Sequence, residues 1–219
     1  MAGTHDRWKG NEDRMPEAEV SIRLAEYLTE QPGFGDHVEV AIDGASVRVH
    51  GSDVFDIEGY LRTYGWRLSA PEHKSRNTWA ATYQRGQATM RIHSQSGVGD
   101  VVAVVSGRRV IAECKKGPLI KKPGSQEYPL LTAAIGQALL FRASAEDIIL
   151  AAVPDTPTFR RIAVDWRERP RLKASGIQIV LVSRTGDVSG LSLCDVQTRE
   201  DNSETKAANT AGPTVYGAN

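Results

Sequence analysis

The sequence predicts an α/β fold in which a mixed β-sheet is flanked by helices. Three observations lead there. Alternating strand signals dominate the middle of the chain, from Trp66 to Cys114. Two short, almost wholly apolar runs, 147–153 and 177–182, follow with helical segments around them, the pattern of strands buried on both faces. The 219 residues, 40% hydrophobic and 25% charged, suffice for a core of ordinary soluble composition.

The elements follow in order. Residues 1–15 are polar and aperiodic and predict a flexible arm. Pro16 stands where a helix can start, and Val20, Leu24 and Leu28 with Ala25 and Tyr27 form a helical stripe to Gln31, ended by Pro32-Gly33. Residues 37–50 alternate on both sides of Asp43-Gly44, a hairpin signal. Helix and hairpin make an N-terminal extension, 16–52. The main domain, 53–195, opens with a helix capped by Asp53, with Val54, Ile57, Leu61 and Tyr64 on one face. Gly65 stops it and Trp66 begins a strand. Segments 78–84 and 88–93 are antiparallel strands around Arg85-Gly86, and 100–114 is a hairpin turning at Ser106-Gly107. A basic loop rich in Gly and Pro spans 115–125. The most apolar helix, 127–143, and the strand 147–153 come next. Thr156 then caps a helix that has Pro157 in its first turn and runs to about Lys173, with Gly176 closing it before the last strand. Residues 196–219 are polar and poor in aliphatics and predict a disordered tail. From Asp53 onward the order is α-β-β-β-β-β-α-β-α-β: antiparallel strands first, then units that favour right-handed parallel crossovers.

Composition limits function. With 27 basic and 27 acidic residues the net charge is zero, which excludes a uniformly basic nucleic-acid coat but not local patches. Cys114 and Cys194 offer neither a disulfide framework nor zinc spacing, so a cytoplasmic protein is expected. No apolar run approaches the roughly 20 residues of a membrane span, and no association with a membrane is expected.

The chemistry concentrates in Gly99-Asp100 and Glu113-Cys114-Lys115. Period two along a strand puts Glu113 and Lys115 on one face and turns Cys114 away. Pairing as a hairpin brings Asp100 near them. Two carboxylates and an ammonium are the minimum equipment for holding a divalent cation beside a phosphate. The same spacing also fits a solvated hairpin, but Val110-Ile111-Ala112 makes the strand apolar up to Glu113, and Gly97 and Gly99 allow close approach of the backbone. Arg108, Arg109, Lys116, Lys121 and Lys122 flank the group and suit phosphate contacts. A second basic set, Arg160, Arg161, Arg167, Arg169, Arg171 and Lys173, fits phosphate binding or a solvated helix face equally. Trp66, Trp79 and Tyr83 suit core packing better than base stacking, and His93 reads as a surface histidine at a strand end.

These residues and this order resemble the PD-(D/E)XK phosphodiesterase superfamily, over roughly 53–182. The resemblance implies a restriction-endonuclease-like fold with an αβββαβ core. It implies that Asp100 and Glu113 bind Mg²⁺ or Mn²⁺, with the Cys114 main-chain carbonyl as a further ligand, and that Lys115 positions the attacking water. Gln137, followed four residues later by Phe141, matches a glutamine–aromatic pair on the next helix, the usual tyrosine being replaced. Some relatives add an acid from the first core helix; Glu58 is the choice here, with Glu26 in reserve. The proline that names the motif is replaced by Gly99. The implied function is a divalent-metal-dependent nuclease. DNA is the expected partner, with RNA left open, in a homodimer or a larger nuclease complex. The alternative is a non-catalytic nucleic-acid-binding or assembly subunit that uses 16–50 to contact a partner.

Overall fold

The computed structural model of the protein describes residues 13–43, 47–49, 52–72, 75–95, 97, 99–120 and 126–193. In chain order the elements are β1 (Arg14–Met15), α1 (Glu17–Thr29), β2 (Phe34–Ala41), β3 (Arg48–Val49), β4 (Ser52–Asp53) and α2 (Ile57–Thr63). The strands β5 (Arg67–Pro71), β6 (Ala81–Arg85), β7 (Ala88–His93), β8 (Val101–Val105), β9 (Arg108–Cys114) and β10 (Gly117–Pro118) follow. The chain continues through α3 (Glu127–Ala138), β11 (Ile148–Pro154), α4 (Pro157–Arg167), α5 (Pro170–Ser175), β12 (Gln178–Val182) and β13 (Val188–Ser189).

Among the described residues nine strands form one mixed sheet in the order β13-β12-β11-β9-β8-β2-β7-β6-β5. β8 and β9 are antiparallel across the Ser106-Gly107 turn, and β9, β11 and β12 run parallel. β2 lies between β8, antiparallel to it, and β7, parallel to it. Period two separates two layers. Ala112, Cys114, Leu150, Ala152, Val180 and Val182 belong to the core that α1 and α2 cover. Val153, Ile179 and Leu181 pack with Leu131, Phe159 and Ala163 on the other face, where α3, α4 and α5 lie. The mixed α/β class with helices on both faces is therefore observed. No helix among the described residues is long and apolar enough to cross a membrane.

The helix α1 starts at Pro16, whose carbonyl accepts the Val20 N–H at 3.1 Å, with Glu17 and Glu19 in the favourable first turn. It is buried almost throughout, including its polar row Glu19, Arg23 and Glu26. Each charge in that row is partnered. Glu19 pairs with Arg23 at 3.0 Å and Arg184 at 2.9 Å. Glu26 accepts from the Tyr60 hydroxyl and, at 2.8 Å, from the Trp66 indole N–H. It also meets Arg85, whose guanidinium lies over the Trp66 ring. Such charges are tolerable because they are fully satisfied, and they tie α1 to α2, β6 and the end of β12.

Four expectations are corrected. The 37–50 hairpin does not form: β2 pairs on both sides within the sheet, and Arg48–Val49 pair with Ser52–Asp53 instead. Residues 34–41 are therefore central to the sheet, and Val38 and Val40 are fully buried in the core with α1. Asp56, not Asp53, caps α2, accepting the Gly59 N–H at 2.9 Å. The helix expected to run to Lys173 breaks into α4 and α5, because Pro170 has no N–H to donate and starts a new helix instead. The apolar helix expected to reach 143 ends at Ala138. Gly176 closes α5 with φ +71°, as its position predicts. Residues 1–12, 50–51 and 194–219 lie outside the described residues.

Candidate active site

The register of β8 on β9, with Val101 opposite Ala112, places Asp100 beside the Glu113–Cys114 end of β9. There the backbone ladder stops and a side chain continues it: the Asp100 carboxylate accepts the Cys114 N–H at 2.8 Å. The Asp100 N–H donates to Ala112 and its carbonyl accepts from Ala41, each at 2.8 Å, so the residue is held on three sides. On the opposite edge of β9 the Lys115 N–H reaches the Ala152 carbonyl at 2.9 Å. N–H and C=O of one strand residue point the same way, so the Cys114 carbonyl is directed to the Asp100 side. The Cys114 thiol is buried on the α1 face, and burial pushes its pKa well up, leaving it unreactive.

Glu113 is 8% exposed. The Lys115 ammonium donates to its carboxylate at 2.6 Å and lies 3.7 Å from the carboxylate of Glu17. Glu17 is the first residue of α1, and the Lys116 backbone N–H nearby favours its charged form. A two-stranded ladder, Arg14 opposite Pro118 and Met15 opposite Gly117, ties the start of α1 to the segment just beyond Lys116. Gly117 lets that segment lie against α4, because a Cβ there would stand 2.4 Å from the Phe159 ring. Four charged groups from three parts of the chain thus share one end of the sheet.

Their electrostatics follow from burial. Asp100 is pushed up to about 7, first by desolvation and then by the charges of Glu113 and Glu17, with the Cys114 N–H and Lys115 opposing. Burial likewise raises Glu17, against the pull of Lys115. Burial alone would lower Lys115, but its bond to Glu113 and the surrounding carboxylates outweigh that and raise it.

The structure brings together Asp100, Glu113, Cys114 and Lys115, and it does not bring Glu58. That residue is exposed on α2, where its charge acts on Tyr83 of β6. β6 is three strands from β8, roughly 14 Å at the usual strand spacing. The reserve choice, Glu26, is occupied in holding α1. The acid that arrives from a helix is Glu17. Its signal was its place at a helix start, overlooked because 16–52 read as a separate extension. Gln137 is exposed on α3, one step from buried Ala138, and is not drawn into the group. Phe141 does approach: a Cβ on Gly99 would stand 3.2 Å from its ring and 2.7 Å from Ile111, so no side chain fits before Asp100.

The basic rim is corrected as well. Arg108 and Arg109 lie at the opposite end of β9, roughly 15 Å from Glu113 at the usual rise per residue. Arg108 donates to the Glu146 carbonyl at 2.9 Å and Arg109 pairs with Asp147. Lys116 is exposed beside the site, while Lys121 and Lys122 lie outside the described residues. In the second set, Arg160, Arg169 and Lys173 pair at 2.7 Å with Asp155, Asp165 and Glu168. Trp66 and Tyr83 are core residues. His93 is buried rather than at the surface, and burial together with Arg91 lowers its pKa.

Among the described residues no three His, Cys, Asp or Glu side chains converge as a ready metal cage. The donor chemistry is nevertheless that of a hard divalent cation: three carboxylates and a directed carbonyl, with an ammonium already seated between two of the acids. A groove of about 540 Å³ between α3, α4 and α5, lined by Tyr128, Trp166 and Leu172 among others, holds none of these acids. Comparison of the chain with protein-family models, with curated proteins and with solved structures gives no match.

Proposed function

We propose that the protein is a divalent-metal-dependent nuclease hydrolysing phosphodiester bonds, with DNA as its substrate. The observation that carries this reading is the meeting of Glu17, Asp100, Glu113 and Lys115, a partly buried acidic set with one lysine, at the end of the central strands. The topology supports it. Taken as α1, β2, β8, β9, α3 and β11, the elements follow the order αβββαβ, and their strands are adjacent in the sheet as β2-β8-β9-β11. The first two pairings are antiparallel and the last is parallel. That order agrees with the core that the PD-(D/E)XK resemblance implies, and so supports the reading. Residues 42–99 then form an insertion whose strands extend the sheet beyond β2, and α1 becomes the first core helix, with Glu17 as its acid.

In this reading Glu17, Asp100, Glu113 and the Cys114 carbonyl hold Mg²⁺ or Mn²⁺, whose oxygen preference they match. When bound there, such a cation would supply charge neutralisation at the phosphate and activation of water. Lys115 orients the attacking water and offsets the negative charge that grows on the phosphate oxygens. The Cys114 N–H keeps the Asp100 carboxylate facing β9. Lys116, exposed next to the site, contacts the phosphate backbone.

The test is incubation of the purified protein with linear, circular, single-stranded and branched DNA, in Mg²⁺, Mn²⁺ or chelator. Cation-dependent cleavage is expected. Glu17→Ala, Asp100→Ala, Glu113→Ala and Lys115→Ala should each abolish it while circular dichroism stays native. Undiminished cleavage in all four overturns the assignment. A second reading, a non-catalytic nucleic-acid-binding subunit, is favoured by one observation: Lys115 is engaged with the acids and not projected outward. It predicts DNA retention on a gel without cleavage under any cation.

A further inference from the structure

Lys115 occupies the acids that the proposed function assigns to a cation. Its ammonium holds the Glu113 carboxylate at 2.6 Å and faces that of Glu17 at 3.7 Å. The side chains of Lys115 and Glu113 are only 14% and 10% exposed, so little water is present to screen charge between them. An ammonium and a divalent cation on the same two carboxylates would repel each other strongly at such separations. Only one of them fits at a time. The lysine has the means to move: it stands one residue beyond the end of β9, its backbone N–H is held by the Ala152 carbonyl, and its four-carbon stem has several rotatable bonds.

We propose that Lys115 is the resident counter-ion of the carboxylate cluster and that it withdraws from Glu113 and Glu17 when a divalent cation takes their oxygens. Metal loading and release of the lysine are then a single exchange. The inference rests on the reading of the cluster as a metal centre and adds an order of events to it. Before loading, the ammonium is committed to Glu113 and does not serve the substrate. After loading, it is free to face the water and the phosphate. Binding of the cation therefore precedes productive binding of nucleic acid.

The test uses the full chain and Mn²⁺ as the probe. Calorimetric titration compares the wild type with Lys115→Met, Lys115→Gln and Asp100→Asn, each checked for native circular dichroism. In parallel, wild-type protein is acetylated with an N-hydroxysuccinimide ester, with and without Mn²⁺, and labelling is read by peptide mass spectrometry. The exchange predicts Mn²⁺ binding roughly tenfold tighter in the two Lys115 variants and lost in Asp100→Asn. It also predicts labelling of Lys115 that rises several-fold with Mn²⁺ while labelling of exposed Lys173 stays constant. Tighter binding alone would follow from removing any nearby positive charge, so the labelling decides. Asp100-dependent Mn²⁺ binding with unchanged or reduced Lys115 labelling overturns the exchange and leaves the metal centre standing. No Mn²⁺ binding by any of the proteins overturns both.

Discussion

Replacing Asp100 by Asn should stabilise the metal-free protein at neutral pH while removing a proposed metal ligand. Burial and the neighbouring acids push Asp100 from an ordinary 3.8 up to about 7. A carboxyl group raised on folding contributes stability that is fully present below its unfolded pKa and is lost as pH rises through the folded value. Wild type should therefore lose about 1.4 kcal/mol of stability per pH unit from this group between about 4 and 7. The ceiling is on the order of 4 kcal/mol, equivalent to a melting-temperature difference of about 10 °C for a chain of this size. Asn carries no charge and keeps a carbonyl oxygen for the Cys114 N–H, so it escapes that loss. Urea denaturation of both proteins in chelator, from pH 4.5 to 8.5, measures the difference directly. The advantage of Asp100→Asn should grow with pH and level off above 7. A difference that does not change with pH, or a variant less stable than wild type at pH 8, would refute the account of the site's electrostatics.

Three other outcomes are expected. Glu17→Gln should lower Mn²⁺ affinity and cleavage rate by at least tenfold, whereas Glu58→Gln should change neither, since Glu58 sits beside Tyr83; parallel titration and plasmid cleavage compare them. Gly99→Ala should cost about 1–3 kcal/mol of stability, because its Cβ would stand 2.7 Å from Ile111 and 3.0 Å from the Ala112 carbonyl. The same change should displace Asp100 and slow cleavage, both readable by denaturation and kinetics. Arg109→Ala should leave the affinity for DNA unchanged in a filter-binding assay, because Arg109 pairs with Asp147 at the far end of β9; a clear loss would restore it to the substrate surface.

How much of this was legible in the chain depends on how local each feature is. Asp100, Glu113 and Lys115 could be placed because a strand's period and one tight turn decide where they go. The position of Pro170 was legible too, but the basic and apolar pattern runs straight across it and hid the break. Glu17 was not legible. Its approach to Lys115 depends on α1 crossing beneath β9 and on the β1–β10 ladder, which joins the two ends of a long stretch of chain. β2 misled for the same reason: Asp43-Gly44 offered a turn to a local partner, while the pairings that formed, with β7 and β8, lie much further along the sequence. Arg108 and Arg109 looked close to Glu113 because they are near it in sequence, yet an extended strand carries them to the other end of the sheet. Glu26 shows the converse. A buried acid on a helix looks functional until Tyr60, Trp66 and Arg85 are seen to satisfy it.

The most direct test of the central claim is cleavage of circular DNA by the wild type and by Glu113→Gln, with Mn²⁺, with Mg²⁺ and with chelator. The account predicts nicked or linear product from the wild type only when a divalent cation is present, and none from the variant. Cleavage that persists in chelator and in Glu113→Gln, or no cleavage of any DNA form with either cation, would contradict it.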